Sequence, residues 1–390
     1  MLKLEKKFFN FLEKNYIILG FIIITFMALM IRFSMFSFES RDYTVFLSKW
    51  FNEIKENGGL LALANYPGDY NAPYVTILAL LTYLPFSSLY LIKIVSVAFD
   101  LGLAISSAAL VYHLAPKSKT TLAFFVYTFM LFAPEIAMNG ALWGQCDSGY
   151  AMFIVLAFLF LFKDKNILSF IMLGIAFALK LQTIFILPIF IIVYIVEKKV
   201  SILHFLIIPA VNIVLSLPAI IYGMPLSKVF SVYYEQIGSY DDVLNLNFIN
   251  LYGLIYNNGS NAVIIKNLAI AWAMIICFLM LIYIVHKKIK LNPQKILNLG
   301  LWFAVVMPFV LPKMHDRYLY VGCVMSIIYF VLYRKNLLLL VSVIMASLIT
   351  YFGYLFGVDL PDKGLFIIMY FFVIVYYTKD VILMLRDDTA

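Results

Sequence analysis

Apolar runs recur along the chain from residue 15 to residue 385, and no long polar block separates them. Within each run the apolar residues are continuous. Continuous runs suit α-helices that satisfy their own backbone in a bilayer, whereas barrel strands need alternation. The first runs are 15–36, 71–85 and 89–113. The others fall at roughly 120–134, 148–162, 167–180, 182–196, 202–222, 264–286, 296–311, 319–333, 336–357 and 365–385. The run at 71–85 is short for a span and is bounded by Pro73 and Pro85, so it is expected to lie on, or re-enter, one membrane face. The pattern predicts an all-α polytopic membrane protein of about 12 transmembrane helices, with interfacial helices in a first external loop, 37–88. Residues 1–390 read as a single integral membrane domain. Within it, a second external loop, 223–263, sets residues 1–222 apart from the C-terminal helices of 223–390.

The chain is 64% hydrophobic and 13% charged, against roughly half and a quarter in soluble domains. That leaves no room for a soluble second domain. The net charge of +8 comes from cations scattered between apolar runs, which argues for cytoplasmic loops and against nucleic acid as a partner. They cluster at Lys3/Lys6/Lys7, Lys117/Lys119, Lys163/Lys165, Lys198/Lys199, Lys287/Lys288/Lys290/Lys295, Arg334/Lys335 and Lys379/Arg386. If all are cytoplasmic, each consecutive pair encloses an even number of crossings. This is a second reason to keep 71–85 out of the count, and it puts both termini inside. Run 15–36 is longer than the apolar core of a cleavable signal. Cys146, Cys277 and Cys323 have neither metal-site spacing nor a disulfide pattern. The bias toward Lys, Ile, Phe, Tyr and Asn points to a bacterial source and hence a bacterial plasma membrane. The sequon Asn258-Gly259-Ser260 matters only in a eukaryotic secretory pathway.

This topology gathers acids on the outer face: Glu39, Asp42, Glu53, Glu56, Asp69, Glu135, Asp147, Glu235, Asp241, Asp242, Asp316, Asp359 and Asp362. The cytoplasmic loops are too short for a nucleotide-sugar enzyme. Asp42, just after the first run, can act as a base toward a hydroxyl or can simply pair with Arg41 or Lys49. In Tyr66-Pro67-Gly68-Asp69-Tyr70-Asn71-Ala72-Pro73-Tyr74, Asp69 and Asn71 offer hydrogen bonds suited to a sugar, or the segment is a plain turn. In Trp143-Gly144-Gln145-Cys146-Asp147-Ser148, an aromatic face beside Gln145 and Asp147 suits a pyranose ring, and Asp147 can also cap the following helix.

Lys180, in Lys180-Leu181-Gln182, is costly between two apolar runs unless it pairs, snorkels or meets a lipid phosphate. In Lys313-Met314-His315-Asp316-Arg317-Tyr318, Lys313 and Arg317 can bind a phosphate, and too few ligands are grouped for a metal site. Arg32 and Asp100 fall within or near spans; Arg32 can snorkel, and Asp100 can pair with it or with Lys93.

In this order, the five clusters resemble the GT-C superfamily of polyprenyl-phosphate-sugar glycosyltransferases over about residues 16–335. The pattern is similar to bacterial mannosyltransferase-type proteins and, more distantly, to dolichyl-phosphate-glucose glucosyltransferases. Arg41-Asp42-Tyr43 resembles the first-loop acidic motif. Tyr66 to Tyr74 resembles an Asp-Tyr-Pro-Pro segment with its proline displaced to Pro73. Trp143 to Ser148 resembles Trp-Gly-Gln-x-Asp-Ser. Phe177-Ala178-Leu179-Lys180-Leu181-Gln182 resembles Phe-Ala-x-Lys-x-Gln. Met314 to Tyr318 resembles Met-His-Glu-Arg-Tyr, with Asp for Glu. Leu244 to Tyr252 resembles an Asn-rich loop.

The resemblance implies an inverting glycosyltransferase that moves a monosaccharide from a polyprenyl-phosphate sugar to a lipid-linked or cell-envelope glycan on the non-cytoplasmic face. It implies Asp42 as catalytic base. Lys180, His315 and Arg317 would hold the donor phosphate. Asp69, Trp143, Gln145, Asp147, Gln182 and Tyr318 would bind sugar or acceptor. The resemblance implies no required cofactor and no metal ligand, and leaves a divalent cation open. The main alternative is a transporter or flippase for lipid-linked sugars, which predicts charges near the midplane and inverted repeats. No repeat is visible in the sequence.

Overall fold

The computed structural model describes residues 1–66, 68–238, 243–255, 261–358 and 362–387. Asp241, Asp242, Asp359 and the Asn258-Gly259-Ser260 sequon lie outside the described residues. The chain is an all-α polytopic bundle. Its first half comprises α1 (Lys3–Ser34), α2 (Ser48–Glu56), α3 (Ala72–Leu81), α4 (Ser88–Leu114), α5 (Lys119–Phe132), α6 (Pro134–Ala137), α7 (Asp147–Phe162) and α8 (Asn166–Leu179). The second half comprises α9 (Leu187–Glu197), α10 (Ile207–Ile221), α11 (Leu226–Gly238), α12 (Ala262–His286), α13 (Pro293–Val310), α14 (Tyr320–Tyr333), α15 (Leu337–Phe356) and α16 (Lys363–Arg386).

Helices form where the sequence is continuously apolar, because in lipid only an intrahelical ladder satisfies the backbone. Seven are long and apolar enough to cross a membrane. An eighth is counted if α5 and the segment Pro134–Trp143 are one span. That pair bends by 51° at Pro134, where the missing amide proton breaks the ladder. The helices at 147–162, 166–179, 187–197 and 320–333 have 16, 14, 11 and 14 residues. At 1.5 Å per residue a 14-residue helix covers only about 21 Å of a roughly 30 Å hydrocarbon core. Length therefore supports seven or eight spans, and the expected count of about 12 is not reached on this measure.

The run at 71–85 forms α3, which at ten residues reaches only about 15 Å. It is too short to span, and it packs on α10 instead. α13 lies at the centre of the bundle with almost every residue buried, packed on α14 and α16, whereas α1 lies at the edge. A two-residue parallel ladder pairs β1 (Asn245–Leu246) with β2 (Met314–His315) and ties the second long loop to the α13–α14 turn.

Two buried cations hold the start of the bundle. Arg32 Nε donates to Asp100 Oδ2 at 2.9 Å and Nη1 to the Leu131 carbonyl at 2.8 Å, with both side chains sealed from solvent. Arg32 therefore does not snorkel. Lys93 does not share this pair. Its Nζ donates to the carbonyls of Met35, Phe36 and Phe38 at 3.0, 3.1 and 2.6 Å. These are orphan carbonyls at and just beyond the end of α1, which a cation satisfies. The chain leaving α1 is thereby aimed toward Ser40, whose hydroxyl donates to the Trp143 carbonyl at 2.8 Å.

Candidate functional site

The turns of the bundle fall into two sets. Cation clusters occupy the turns α4–α5, α7–α8, α9–α10, α12–α13 and α14–α15. The candidate residues occupy the other turns, α1–α2, α2–α3, α6–α7, α8–α9 and α13–α14.

One cavity of about 1110 Å³ lies there, and all ten candidate residues line it: Asp42, Asp69, Trp143, Gln145, Asp147, Lys180, Gln182, His315, Arg317 and Tyr318. At its polar end Asp42 Oδ2 accepts from Trp143 Nε1 at 2.9 Å and from Gln145 Nε2 at 2.8 Å. Its Oδ1 accepts from the Tyr354 hydroxyl. Arg317 Nη2 stands 3.9 Å from Asp42 Oδ2, so the ion partner of Asp42 is neither Arg41 nor Lys49. A carboxylate has about four lone-pair sites; three protein donors leave one on Oδ1 for an incoming hydroxyl.

Trp143 reaches this position through a π-helical turn, Met138–Trp143, that ends on Gly144 at φ +81°, a conformation glycine adopts without strain. Its indole stacks on Tyr354 at 4.8 Å and meets Tyr351 edge-on at 5.0 Å. The Arg317 guanidinium covers it at 5.2 Å in a cation–π contact.

Arg317 is the hub. It donates to Gln145 Oε1, lies 3.9 Å from Asp147 Oδ2 and 3.8 Å from Asp316 Oδ1, and is nearly buried. Lys180 sits in extended backbone between α8 and the 3-10 turn Leu181–Phe185, and pairs directly with Asp147 Oδ1. Asp147 Oδ2 accepts from Asn139 Nδ2 at 2.7 Å. Asp147 therefore makes no side-chain cap on α7; its carboxylate turns back into the site.

The other candidates are placed differently. Asp69 is exposed at the rim, where its backbone carbonyl accepts from Gln236 Nε2 at 2.7 Å. Gln182 presents a buried Oε1 with no hydrogen-bond partner among the described residues. Tyr318 packs against Phe185 and against His315. Burial, with Arg317 beside it, pushes the His315 imidazole down to about 4, so at neutral pH it is an uncharged hydrogen-bonding group. Burial pushes Asp316 up to about 7, with Arg317 opposing the shift.

Sequence reasoning missed Tyr354, Tyr351, Asn139 and the hydroxyl of Tyr70, which donates to Gln145 Oε1 at 3.0 Å. Tyr70 stood inside a quoted motif. Tyr354 carries no signal, because a tyrosine at the end of an apolar run is ordinary interfacial decoration. Among the described residues no group of three or more His, Cys, Asp or Glu side chains is placed to hold a metal ion. No protein-family model matches the chain, and no curated protein matches it.

Proposed function

We propose that the chain is an inverting glycosyltransferase of GT-C type. It moves a monosaccharide from a polyprenyl-phosphate sugar to a hydroxyl of a lipid-linked or cell-envelope glycan. One observation carries the reading. Asp42, with a lone pair left for a hydroxyl, shares a single cavity with Arg317, Lys180 and an apolar wall that includes Leu181, Ile184 and Phe185.

In the reaction, Asp42 takes the proton of the acceptor hydroxyl as its oxygen attacks the anomeric carbon. The bond from that carbon to the phosphate oxygen breaks, and its electron pair leaves with the phosphate, so the configuration inverts in one displacement. A phosphate leaves as a stable anion without a general acid. Arg317 and Lys180 stabilise the charge it gains. His315 is a neutral hydrogen-bonding partner, while Trp143, Gln145, Gln182 and Tyr318 orient sugar and acceptor. The cation-rich turns alternate with the site-bearing turns, and the positive-inside rule then supports a site on the non-cytoplasmic face of a bacterial plasma membrane. A flippase needs charges along a path through the midplane. The buried ion pair within the spans, Arg32 with Asp100, is sealed and does not line the cavity.

The test is transfer by purified protein from a panel of polyprenyl-phosphate sugars, with membrane extract as acceptor. Asp42→Asn is expected to lower turnover by about 10²–10⁴ while the protein stays folded. Retained turnover overturns the role of Asp42, and no transfer from any donor by the wild type overturns the enzyme reading.

A further inference from the structure

The π-helical turn Met138–Trp143 carries a fully buried amide, that of Asn139. Its Nδ2 donates to Asp147 Oδ2 at 2.7 Å and to the Tyr351 hydroxyl at 3.1 Å. Its Oδ1 accepts from the Asp147 amide at 3.3 Å. An asparagine side chain has two donor protons and one carbonyl oxygen, so both protons are engaged and two of the three bonds go to Asp147. The backbone carbonyl of Asn139 also accepts from the Gln145 amide at 2.9 Å. The turn lies directly on α4, because a Cβ on Gly140 would stand 2.9 Å from Asp100 Oδ2. Asn139 is therefore a fixed donor, and the Asp147 carboxylate is held to it.

The contacts of Asp147 divide by oxygen. Oδ1 pairs with Lys180, and Oδ2 takes Asn139. Arg317 approaches the same Oδ2 but stops at 3.9 Å, beyond hydrogen-bond reach, and stands equally far from Asp42 Oδ2. Its guanidinium lies over the Trp143 ring instead. An arginine and a carboxylate this close ordinarily close into a direct, charge-assisted pair. Here a neutral amide already occupies the oxygen that Arg317 faces. A guanidinium closed onto Asp147 gives up donors that a phosphate needs; one held short of it keeps them.

Resting on the glycosyltransferase reading, we propose that Asn139 is a positioning residue. By occupying Asp147 Oδ2 it keeps Arg317 out of a direct pair with that carboxylate, so that the guanidinium stays available to the donor phosphate. Asn139 touches neither donor nor acceptor in this role; it acts through Asp147.

The experiment measures the Kd of farnesyl phosphate for the full-length protein in detergent by native mass spectrometry, beside the thermal midpoint. Asn139→Leu, close in volume and without donors, is expected to raise that Kd about tenfold, the loss typical of one hydrogen bond to a charged group. In the transfer assay the same variant is expected to raise donor KM and leave kcat nearly unchanged. Asn139→Asp keeps the acceptor for the Asp147 amide but sets a second carboxylate beside Asp147, which draws Arg317 inward; it is expected to raise the Kd further. Asp147→Asn removes the charge through which Asn139 acts, so adding Asn139→Leu to it is expected to change the Kd little. An unchanged Kd in folded Asn139→Leu, or the same rise with and without Asp147→Asn, overturns the assignment of Asn139 and leaves the proposed reaction standing. Loss of folding in both Asn139 variants assigns the residue to the fold alone and overturns it too. If the wild type binds no farnesyl phosphate and transfers no sugar, both readings fall.

Discussion

The hydroxyl of Tyr354 donates to Oδ1 of Asp42, joining residues 312 positions apart in the chain. The same tyrosine stacks on Trp143, which donates to the other oxygen of that carboxylate. Asp42 is thus oriented from both sides by an aromatic pair. A hydrogen bond to a charged group contributes roughly 1.5–3 kcal/mol. Tyr354→Phe is expected to fold normally and to lower kcat about tenfold, with donor KM little changed. An unchanged kcat would remove Tyr354 from the catalytic arrangement.

Arg317 serves Asp42, Asp147, Asp316 and Gln145 at once. Removing it strands carboxylates in a nearly dry site, which costs about 3–5 kcal/mol for a buried pair. Arg317→Ala is expected to lower the thermal midpoint sharply. Arg317→Lys keeps the charge but lacks the planar fork, so it is expected to fold and to raise donor KM. Equal stability of wild type and Arg317→Ala in a thermal scan would contradict the hub role.

The pH dependence follows from two neighbours of Arg317. Asp316, raised from 3.8 to about 7, is neutral below that pH and becomes an anion beside Arg317 above it. Donor affinity is expected to fall as pH rises through about 7, and Asp316→Asn is expected to flatten that profile. On stability the sign is the same: the folded state retains a proton that the unfolded chain gives up near 3.8, so this contribution fades as pH rises toward 7. His315 runs the other way. Lowered from 6.5 to about 4, its contribution is present above 6.5 and is lost as pH falls toward 4. A donor-KM profile that keeps its rise in Asp316→Asn would assign the transition to another group.

The sealed pair of Arg32 and Asp100 lies outside the cavity. Either single substitution, Arg32→Met or Asp100→Leu, leaves a buried charge alone and is expected to cost about 3–5 kcal/mol. The double variant is expected to recover most of that loss with transfer intact. A double variant as unstable as either single one would show that the pair does more than neutralise itself.

The side of the membrane can be read by cysteine labelling at Phe86 and Ser87, between α3 and α4, and at Ser88, the first residue of α4. Labelling by an impermeant reagent from outside intact cells is expected. Labelling only after permeabilisation would invert the orientation.

The helices were legible because each follows from a purely local requirement. Thus 89–113 and 264–286 are long enough to span, and 71–85 is cut short by Pro73 and Pro85; these lengths alone separate α4 and α12 from α3. Much of the site was legible for a related reason. A charge such as Lys180 or Asp147 between apolar runs needs a partner or a task, and the two proved to be each other's partner. The misreadings concerned partners and reach. In the sequence Asp42 could pair with Arg41 or Lys49, Asp147 could cap α7 as well as meet a sugar, and nothing showed that burial leaves His315 uncharged.

Hydropathy alone, then, was enough to establish a helical membrane protein with its polar residues collected in alternate turns, because desolvating a backbone or a charge costs the same whatever the neighbouring helix. It carried nothing about which turns meet. Tyr354 on Asp42, Arg317 between three carboxyls, and Lys180 on Asp147 depend on how α8, α13 and α15 pack. Packing is settled by side-chain shape across helices far apart in sequence, and apolar runs of equal length are interchangeable until they touch.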